Sequence, residues 1–291
     1  MSRDIVLISS GYDNVIRFWS NFNPGTQCKA EIEFNENAIN VLELSPNRDY
    51  VAFAAGNSVK FLDLNTLNPN PVLSIDSHEG LISSVIIPPN LNNCFISAGE
   101  DSSIRVNDTR VGKAVKTFYH PNYVNSICIS NNNKEIIGAD ENGNIKVWDI
   151  SKSDNNVPKS EYNSNINEEG LAFRSISFCE SEGFLVGAKS NGNVYVFNYE
   201  NGKLEENNHF EAHKTYITKC LLSPEYNMLA TCSADSEIKL WERKPLTEEE
   251  DNKNKKYSKN FYLKQRLIGH NKWVWDCDFS LDSSYIFSCR Y

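Results

Sequence analysis

Short runs of alternating apolar and polar residues recur along the chain, and each run follows a tight-turn residue. After the turn residue come polar or small residues, a β-branched residue, and alternation that ends at a bulky position. Alternation with a period of two predicts half-buried β-strands, and Asn-Gly or Asp-Ser between two such runs is typical of hairpin turns. The six copies span residues 13–19, 57–62, 101–107, 142–148, 191–197 and 235–241.

The spacing of these copies indicates a repeat. Their bulky positions are 41 to 49 residues apart. His78, His120 and His213 each lie 28 or 29 residues before the bulky position of their unit and precede another apolar run. His270 opens one more unit of the same kind. A period of about 40–45 residues with four short strands per unit is typical of a β-propeller blade, so the pattern predicts an all-β propeller.

Charge and hydropathy narrow the classes of partner. The 291 residues include 38 acidic and 29 basic ones, for a formal net charge of −9. That charge argues against a binder of duplex nucleic acid, which needs a basic surface, and against docking on an anionic membrane. No apolar run approaches the ~18 residues of a membrane span, and the N-terminus lacks the apolar stretch of a signal peptide. We therefore expect no nucleic-acid partner, no direct membrane insertion and a cytoplasmic location.

The cysteine pattern bears on metal binding. The eight cysteines include no Cys-x-x-Cys pair, so a zinc ribbon is not predicted. Several replace small apolar residues within strand patterns, as at Cys128 and Cys232. We expect them to be buried, reduced thiols. The sequence therefore predicts neither a metal site nor a cofactor.

One unit carries a hydroxyl, an imidazole and a carboxylate that together resemble a hydrolase triad. A catalytic set should occur once, however, and related residues recur in another unit. Buried polar groups must be hydrogen-bonded, so a repeated set indicates structural networks and no enzyme activity. A propeller hydrolase would need a unique carboxylate or histidine cluster at its central channel, and the sequence shows none. The expected network residues are His213, Thr231, Asp235 and Trp241 in one unit and His78, Ser97 and Asp101 in another.

Two tryptophans occupy unusual positions in the last unit, where Trp273 and Trp275 stand third and fifth after His270. Tyr216 holds the third position in another unit. Tryptophan and tyrosine are favoured at binding hot spots because they bury a large rigid area and keep a polar group. We therefore predict a protein-binding surface centred on the two tryptophans, with packing against neighbouring loops as the alternative. In the other units the fifth position is polar, with Asn40, Ser83, Asn125, Arg174 and Thr218.

The repeat as a whole, with Gly269-His270 and Trp148-Asp149 intact, resembles the WD-repeat family across essentially the entire chain. Asn107 departs from the family signature, because it stands where the signature has tryptophan. The resemblance implies that the triad-like residues belong to hydrogen-bond chains between adjacent strands and the tight turn of a blade.

A narrower resemblance rests on four stretches, residues 10–19, 63–71, 229–235 and 273–275, which agree in order and spacing. They are similar to the G-protein-β-subunit-like WD-repeat subunits of TOR kinase complexes. The resemblance implies a seven-bladed propeller without enzyme activity, which serves as a scaffold that docks on the TOR kinase catalytic domain and supports it. It also implies associated complex subunits as partners, a role in growth and nutrient signalling, and peripheral contact with endomembranes through the kinase complex.

The same resemblance suggests which residues face the kinase. Trp273 and Trp275 fit the Trp-x-Trp of the family, and Asn40 fits the asparagine that opens its second blade. Tyr12 lies on the same face by topology, and Tyr216 joins the set through its third position. The alternative function is a peptide-recognition adaptor of a ubiquitin-ligase or chromatin complex, which predicts a peptide-sized central pocket of acidic or aromatic character.

We expect a single domain over residues 1–291. A seventh blade and the closure of the ring are expected to be incomplete, because the next tight-turn residue would fall one position past Tyr291 and the first unit begins within a blade. We favour a truncated sequence over a natural open form that another protein completes. The expected blades span about 4–34, 35–77, 78–119, 120–168, 169–212, 213–269 and, in part, 270–291.

Overall fold

The computed structural model describes residues 5–20, 27–34, 38–89, 91, 93–130, 134–152, 157–164, 170–179, 181–200, 202–245 and 257–290. These residues form 25 β-strands and no helix, so the all-β prediction is confirmed for them. The strands form seven sheets, in which consecutive strands along the chain are hydrogen-bonded neighbours. Short turns between the strands account for this meandering order.

The first three sheets contain eleven of these strands. The first sheet contains β1 (Ile5–Ser10), β2 (Val15–Ser20) and β3 (Gln27–Glu33). The second contains β4 (Ile39–Leu44), β5 (Tyr50–Ala55), β6 (Ser58–Asp63) and β7 (Leu73–Asp76). The third contains β8 (Ile82–Ile86), β9 (Cys94–Gly99), β10 (Ser103–Asp108) and β11 (Lys113–Tyr119).

The remaining sheets contain four, four, four and two strands. The fourth contains β12 (Val124–Ile129), β13 (Glu135–Asp140), β14 (Ile145–Asp149) and β15 (Ser160–Tyr162). The fifth contains β16 (Phe173–Cys179), β17 (Phe184–Lys189), β18 (Asn193–Glu200) and β19 (Lys203–Glu211). The sixth contains β20 (Ile217–Leu222), β21 (Met228–Ser233), β22 (Glu237–Pro245) and β23 (Tyr257–Ile268), and the seventh contains β24 (Val274–Phe279) and β25 (Ile286–Arg290).

The chain divides into two compact units. The first comprises Met1–Ile127 and Lys152–Asn156, and the second comprises Cys128–Ser151 and Val157–Tyr291. In the first unit, one core contains Phe18 and Phe53, which come from the first and second sheets. A further core contains Phe61 and Phe95, which come from the second and third sheets. The second sheet therefore buries apolar side chains on both of its faces.

The second unit repeats this arrangement. Every residue of β17 is buried, because the fifth sheet also has a core on each face. A strand that is covered on both sides carries mainly apolar or small residues, as β17 does up to its last residue, Lys189, whereas an exposed strand alternates. The cores that join the fourth to the fifth, the fifth to the sixth and the sixth to the seventh sheet include Val147 with Phe197, Phe184 with Leu229, and Ile238 with Val274.

The triad-like residues of the sixth sheet form one hydrogen-bonded chain. His213 Nδ1 lies 2.7 Å from the Asp235 carboxylate, and His213 Nε2 lies 2.8 Å from the Thr231 hydroxyl oxygen. The Trp241 indole N–H donates to that same oxygen at 3.0 Å. Both ring nitrogens of the histidine are therefore engaged, and the chain links the turn before β22 to two strands of the sheet.

The third sheet contains the same kind of hydrogen-bonded chain, with an asparagine in place of the tryptophan. His78 lies 2.9 Å from the Asp101 carboxylate and 2.8 Å from the Ser97 hydroxyl. Asn107 stands in place of the tryptophan, and its amide N–H donates to the Ser97 hydroxyl at 3.0 Å. The Ser77 hydroxyl donates to the Asn107 carbonyl oxygen at 3.1 Å, so the smaller side chain is satisfied at both ends. The amide thus keeps the donor that the indole supplies in the sixth sheet.

Burial and hydrogen bonding set the charge states in these chains. Burial lowers the pKa of His213 and of His78, although the neighbouring aspartates oppose this effect. Burial alone would raise the pKa of Asp101, but hydrogen bonds from His78 and Ser103 outweigh it and bring the value to about 2. The pKa of Asp235 is likewise lowered, because hydrogen bonds from His213 and the Glu237 backbone outweigh burial.

In the second, third, fifth, sixth and seventh sheets, the first strand carries a one-residue β-bulge at the same point, just after its first residue. There the register with the second strand shifts, and one residue is left without a partner in the pairing. A bulge residue leaves the regular alternation and is turned in a new direction. The bulge residues are Asn40, Ser83, Arg174, Thr218 and Trp275.

Short hydroxyl side chains at the bulge join neighbouring sheets. The Thr218 hydroxyl lies 3.1 Å from the carbonyl oxygen of Cys232 in its own sheet and 2.6 Å from that of Val274 in the next. The Ser83 hydroxyl makes the same pair of contacts, with the Ala98 carbonyl at 3.2 Å and with the Val124 carbonyl. Where the bulge residue is serine or threonine, its hydroxyl therefore links two neighbouring sheets through backbone carbonyls.

We expect Asp235→Ala to lower the free energy of unfolding by about 1–3 kcal/mol, because it leaves a buried imidazole without its acceptor. Chemical denaturation of the purified chain measures this change. Asp76 is an exposed aspartate in β7, so Asp76→Ala is the matched control and should change stability by less than about 0.5 kcal/mol. Equal stability of the two variants would contradict the structural role of the network.

We expect the free energy of unfolding to fall as the pH drops below about 6.5, the ordinary pKa of histidine. The pKa values of His78 and His213 are lowered in the folded chain, so the unfolded chain binds protons first. At lower pH the protonation of Asp101 lowers the free energy of unfolding further, from pH 3.8, its ordinary pKa, down to about 2, its pKa in the folded chain. Urea unfolding between pH 7.5 and 5 measures the histidine contribution. The double variant His78→Gln/His213→Gln should show a flatter pH dependence, and an unchanged slope would refute this assignment.

Candidate protein-binding surface

Three of the five predicted binding residues come together in the second unit. Trp273 and Trp275 are 50% and 38% exposed, and Tyr216 is half-buried beside Trp273. Tyr12, at 66% exposure, and Asn40, which is also exposed, belong to the first unit. Their membership of the surface stays a prediction.

The three aromatic rings form a continuous row. The rings of Tyr216 and Trp273 are stacked, with centroids 6.3 Å apart and planes inclined by 23°. Trp273 and Trp275 follow at 6.1 Å and 59°. The Arg174 guanidinium lies 5.1 Å from the centroid of the Tyr216 ring, a cation–π distance. We name this row, Arg174, Tyr216, Trp273 and Trp275, the aromatic ladder.

An ion pair holds the cationic end of the aromatic ladder. Arg174 Nη2 donates to Glu141 Oε1 at 2.8 Å, and Glu141 follows β13 in the fourth sheet. The contacts of Arg174 with Tyr216 and of Tyr216 with Trp273 join neighbouring sheets, whereas Trp273 and Trp275 belong to the same sheet. Aromatic pairs contribute about 0.5–1.5 kcal/mol beyond the area they bury, so the two ring contacts favour this arrangement.

The bulges explain which way these side chains point. Tyr216 and Trp273 stand immediately before β20 and β24, at equivalent places in neighbouring sheets, and this equivalence lets them stack. Trp275 and Arg174 are bulge residues, so they leave the pairing while Val274 and Phe173 beside them are fully buried. The chain therefore exposes large side chains without disturbing the cores.

A cleft of about 540 Å³ opens beside the two tryptophans. Its volume falls within the range of about 300–1,000 Å³ that is usual for binding sites. The residues that line it come from the turn between β21 and β22, from the loop before β24 and from β24 itself. They are Ala234, Ser236, Asn271, Lys272, Trp273 and Trp275.

The hydrogen-bonded chain of the sixth sheet supports the cleft. Asp235 lies between the two turn residues that line it, and its carboxylate accepts from the Glu237 backbone N–H at 3.0 Å as well as contacting His213. The Tyr216 carbonyl accepts from the Ala234 backbone N–H at 2.9 Å. The same aspartate that closes the network therefore fixes the turn against the aromatic ladder.

Arg174 and Glu141 are functional candidates that the sequence pattern did not identify. The sequence analysis grouped Arg174 with the other polar residues at the fifth position. Its larger size and its charge distinguish it from the Asn, Ser and Thr residues there and could have identified it. Glu141 carried no such signal, because its contact with Arg174 joins two different sheets.

Other chemistry on the described part of the chain is limited. Among the described residues, no group of three or more histidine, cysteine or acidic side chains is placed to hold a metal ion. Burial raises the pKa of the Cys220 thiol to about 12, which leaves little reactive thiolate at neutral pH. Within the same residues, there is no helix of the length and apolar character needed to cross a membrane.

Comparison with known families agrees with the repeat pattern. A profile of the WD domain, G-beta repeat family matches residues 69–108, 112–149, 204–242 and 261–291, which together make up about half of the chain. The matched stretches include strands of the second to the seventh sheet. The chain is therefore a WD-repeat β-propeller protein.

Individual relatives are similar over most of their length. The chain is 30% identical to the target of rapamycin complex subunit wat1 of Schizosaccharomyces pombe, over 81% of this chain and 74% of that protein. It is 32% identical to the target of rapamycin complex subunit LST8 of Saccharomyces cerevisiae, over 81% and 77%. For subunit LST8-1 of Arabidopsis thaliana the identity is 30%, over 92% and 82%. The chain thus belongs to the WD-repeat family that these target of rapamycin complex subunits represent.

Proposed function

We propose that this chain is a non-catalytic scaffold subunit that binds and supports the kinase domain of a TOR-type protein kinase. That the chain is a subunit of a TOR complex follows from family membership, since relatives from fission yeast, budding yeast and a plant are named as target of rapamycin complex subunits. The exposed aromatic ladder supports the more specific proposal that the chain contacts the kinase domain itself.

The aromatic ladder has the properties of a protein-binding hot spot. Binding energy at such interfaces is concentrated in a few tryptophan, tyrosine and arginine residues, which are the residue types found here. The stacking of Tyr216 on Trp273 and the ion pair between Arg174 and Glu141 hold the side chains in place before binding. Less side-chain entropy is then lost when a partner docks.

The proposed contact surface also includes Asn40 and Tyr12 of the first unit, both of which are exposed. The proposal further includes seven blades, other subunits of the TOR complex as partners, and a cytoplasmic location with peripheral contact with endomembranes through the kinase. The absence of a catalytic role is supported by the triad-like chains, because they recur in two sheets with both histidine nitrogens engaged.

A peptide-recognition adaptor of a ubiquitin-ligase or chromatin complex is the rival function. The names of the relatives do not favour it. Affinity purification of the chain from its source cells distinguishes the two. We expect recovery of a very large protein kinase with its associated subunits, whereas recovery of a cullin adaptor without the kinase would favour the rival.

We expect Trp273→Ala/Trp275→Ala to weaken association with the kinase by about 2 kcal/mol or more, because it removes two anchors from the centre of the surface. Titration of the purified kinase domain measures the loss. Tyr119 is an exposed aromatic residue of β11, outside the aromatic ladder, so Tyr119→Ala is the control and should bind normally. If the double variant has unchanged affinity and an unchanged melting temperature, Trp273 and Trp275 are not binding hot spots.

The supporting role has a separate readout. A partner that binds only the folded kinase raises its melting temperature by mass action, in proportion to the logarithm of its concentration. We expect the wild-type chain to stabilise the kinase domain in this way and the double tryptophan variant to do so only at much higher concentration. Stabilisation by both proteins at equal concentration would show that the support does not pass through these tryptophans.

A further inference from the structure

Leu81 and Tyr123 are exposed apolar residues that lie outside the aromatic ladder. Each stands third after a histidine, as Tyr216 and Trp273 do in later units of the repeat. Leu81 is 46% exposed and Tyr123 is 55% exposed, and both belong to the first compact unit. The repeat therefore displays large apolar side chains at this position a second time.

A hydrogen bond between two sheets places Leu81 and Tyr123 side by side. The Ser83 hydroxyl contacts the Val124 carbonyl oxygen. Leu81 lies two residues before Ser83, and Tyr123 directly precedes Val124. The sixth and seventh sheets have the equivalent hydrogen bond with the same offsets, and there the third-position rings stack with centroids 6.3 Å apart. Leu81 and Tyr123 therefore form one apolar patch.

Two exposed carboxylates, those of Glu79 and Glu100, border this patch. The segments that carry them are packed together, because the Glu100 backbone N–H donates to the Leu81 carbonyl at 2.9 Å. The Glu79 backbone N–H donates to the Asp101 carboxylate at 3.1 Å. At Gly80, a Cβ would lie only 3.1 Å from the backbone nitrogen of Asp101, so the two segments are in close contact. We name the following four residues the acidic-apolar patch: Glu79, Leu81, Glu100 and Tyr123.

The negative charge of the patch is not neutralised within the described part of the chain, where neither of its two carboxylates is in an ion pair. The Arg105 guanidinium, in β10 of the same sheet, donates to the Asp101 carboxylate at 3.1 Å. In the sixth sheet the residues that correspond to the two glutamates are Lys214 and Ala234. The acidic character therefore distinguishes the third sheet from a sheet that is otherwise built in the same way.

The next pair of sheets shows what a carboxylate binds at this place in the repeat. Glu141 follows β13 as Glu100 follows β9, and Glu141 accepts from Arg174, the bulge residue of the next sheet, at 2.8 Å. The residue equivalent to Arg174 in the fourth sheet is Asn125, which has no positive charge. Glu100 therefore occupies the position of the acidic partner in such an ion pair, and the chain does not supply the arginine.

The combination of charge and apolar surface limits the class of ligand. A small cation would leave the two apolar side chains in water, whereas a protein segment covers them. Negative charge argues against nucleic acid and against an anionic membrane. A protein segment that carries a basic residue beside an apolar one complements both features of the patch.

We propose that the acidic-apolar patch is a second protein-binding surface, which takes a partner segment with an arginine or lysine next to an apolar side chain. The basic group pairs with Glu79 and Glu100, and the apolar side chain packs on Leu81 and Tyr123. The patch lies in the first unit and shares no residue with the aromatic ladder, so this inference does not depend on the proposed function.

The first test uses short synthetic peptides in which a central leucine or phenylalanine is flanked by arginine, glutamine or glutamate. We expect the arginine peptides to bind the full chain about tenfold or more tightly than the glutamate peptides, as measured by fluorescence anisotropy. Added salt should reduce this difference, because ions screen exposed charge pairs. Equal binding of the three kinds of peptide, or a preference for glutamate, would show that the inference is wrong.

Variants of the chain locate the binding of these peptides. We expect Glu79→Gln/Glu100→Gln to weaken binding of the arginine peptides about tenfold, and Glu79→Lys/Glu100→Lys to prefer the glutamate peptides. Glu205→Gln/Glu211→Gln removes two exposed carboxylates from β19 and should change affinity less than about twofold. If the glutamine variant at the patch binds the arginine peptides like wild type, the patch is not their binding site. Trp273→Ala/Trp275→Ala should bind them normally, which separates this surface from the aromatic ladder.

The second test identifies the natural segment by photo-crosslinking in the source cells. The photoreactive amino acid p-benzoylphenylalanine is placed at the position of Tyr123 and, as a control, at that of Tyr119, which is exposed outside the patch. We expect the fragment that is cross-linked only from position 123 to contain an arginine or lysine next to an apolar residue. An acidic fragment, a second copy of this chain, or no cross-link specific to position 123 would overturn the inference.

Discussion

The first strands β4, β8, β16, β20 and β24 each contain one residue more than their partner strand can pair, and the resulting bulge determines what this surface can display. In each of these strands the residue before the bulge is buried in a core, whereas the bulge residue itself ranges in size from serine to tryptophan. With threonine or serine, its hydroxyl joins two sheets, as Thr218 does through the carbonyls of Cys232 and Val274. With Arg174 or Trp275, the same geometry places a large side chain in the aromatic ladder.

Stability and recognition are connected through one turn. The carboxylate of Asp235 completes the hydrogen-bonded chain with His213, and the residues on either side of it line the cleft. The backbone of Tyr216 holds that turn, while its ring stacks on Trp273. A buried polar network is costly unless all its members are satisfied. Here the satisfied network also gives the binding surface a fixed floor, so the surface is formed without a partner.

The sequence was sufficient for the strands, the turns and the repeat, because alternation and turn residues are local and recur with a constant period. The WD-repeat family was confirmed, whereas the count of seven blades and the binding roles of the five selected residues remain predictions. The bulge was not recognised as such, since register depends on two strands at once. Arg174 and Glu141 were missed for a related reason. Their contact joins two different sheets, and the sequence alone does not show which residues of two sheets lie next to each other. The substitution of Asn107 for tryptophan was visible, but only the structure shows that its amide keeps the hydrogen bond to Ser97.

Binding through the exposed tryptophans can be observed directly by ¹⁹F NMR of the chain labelled with 5-fluorotryptophan. The chain contains five tryptophans, and Trp148 and Trp241 are buried and serve as internal references. Signals are assigned with single Trp→Phe variants. On addition of unlabelled kinase domain, the signals of Trp273 and Trp275 should shift or broaden while those of Trp148 and Trp241 keep their positions. Formation of the complex with the signals of Trp273 and Trp275 unchanged would contradict the central role of the aromatic ladder.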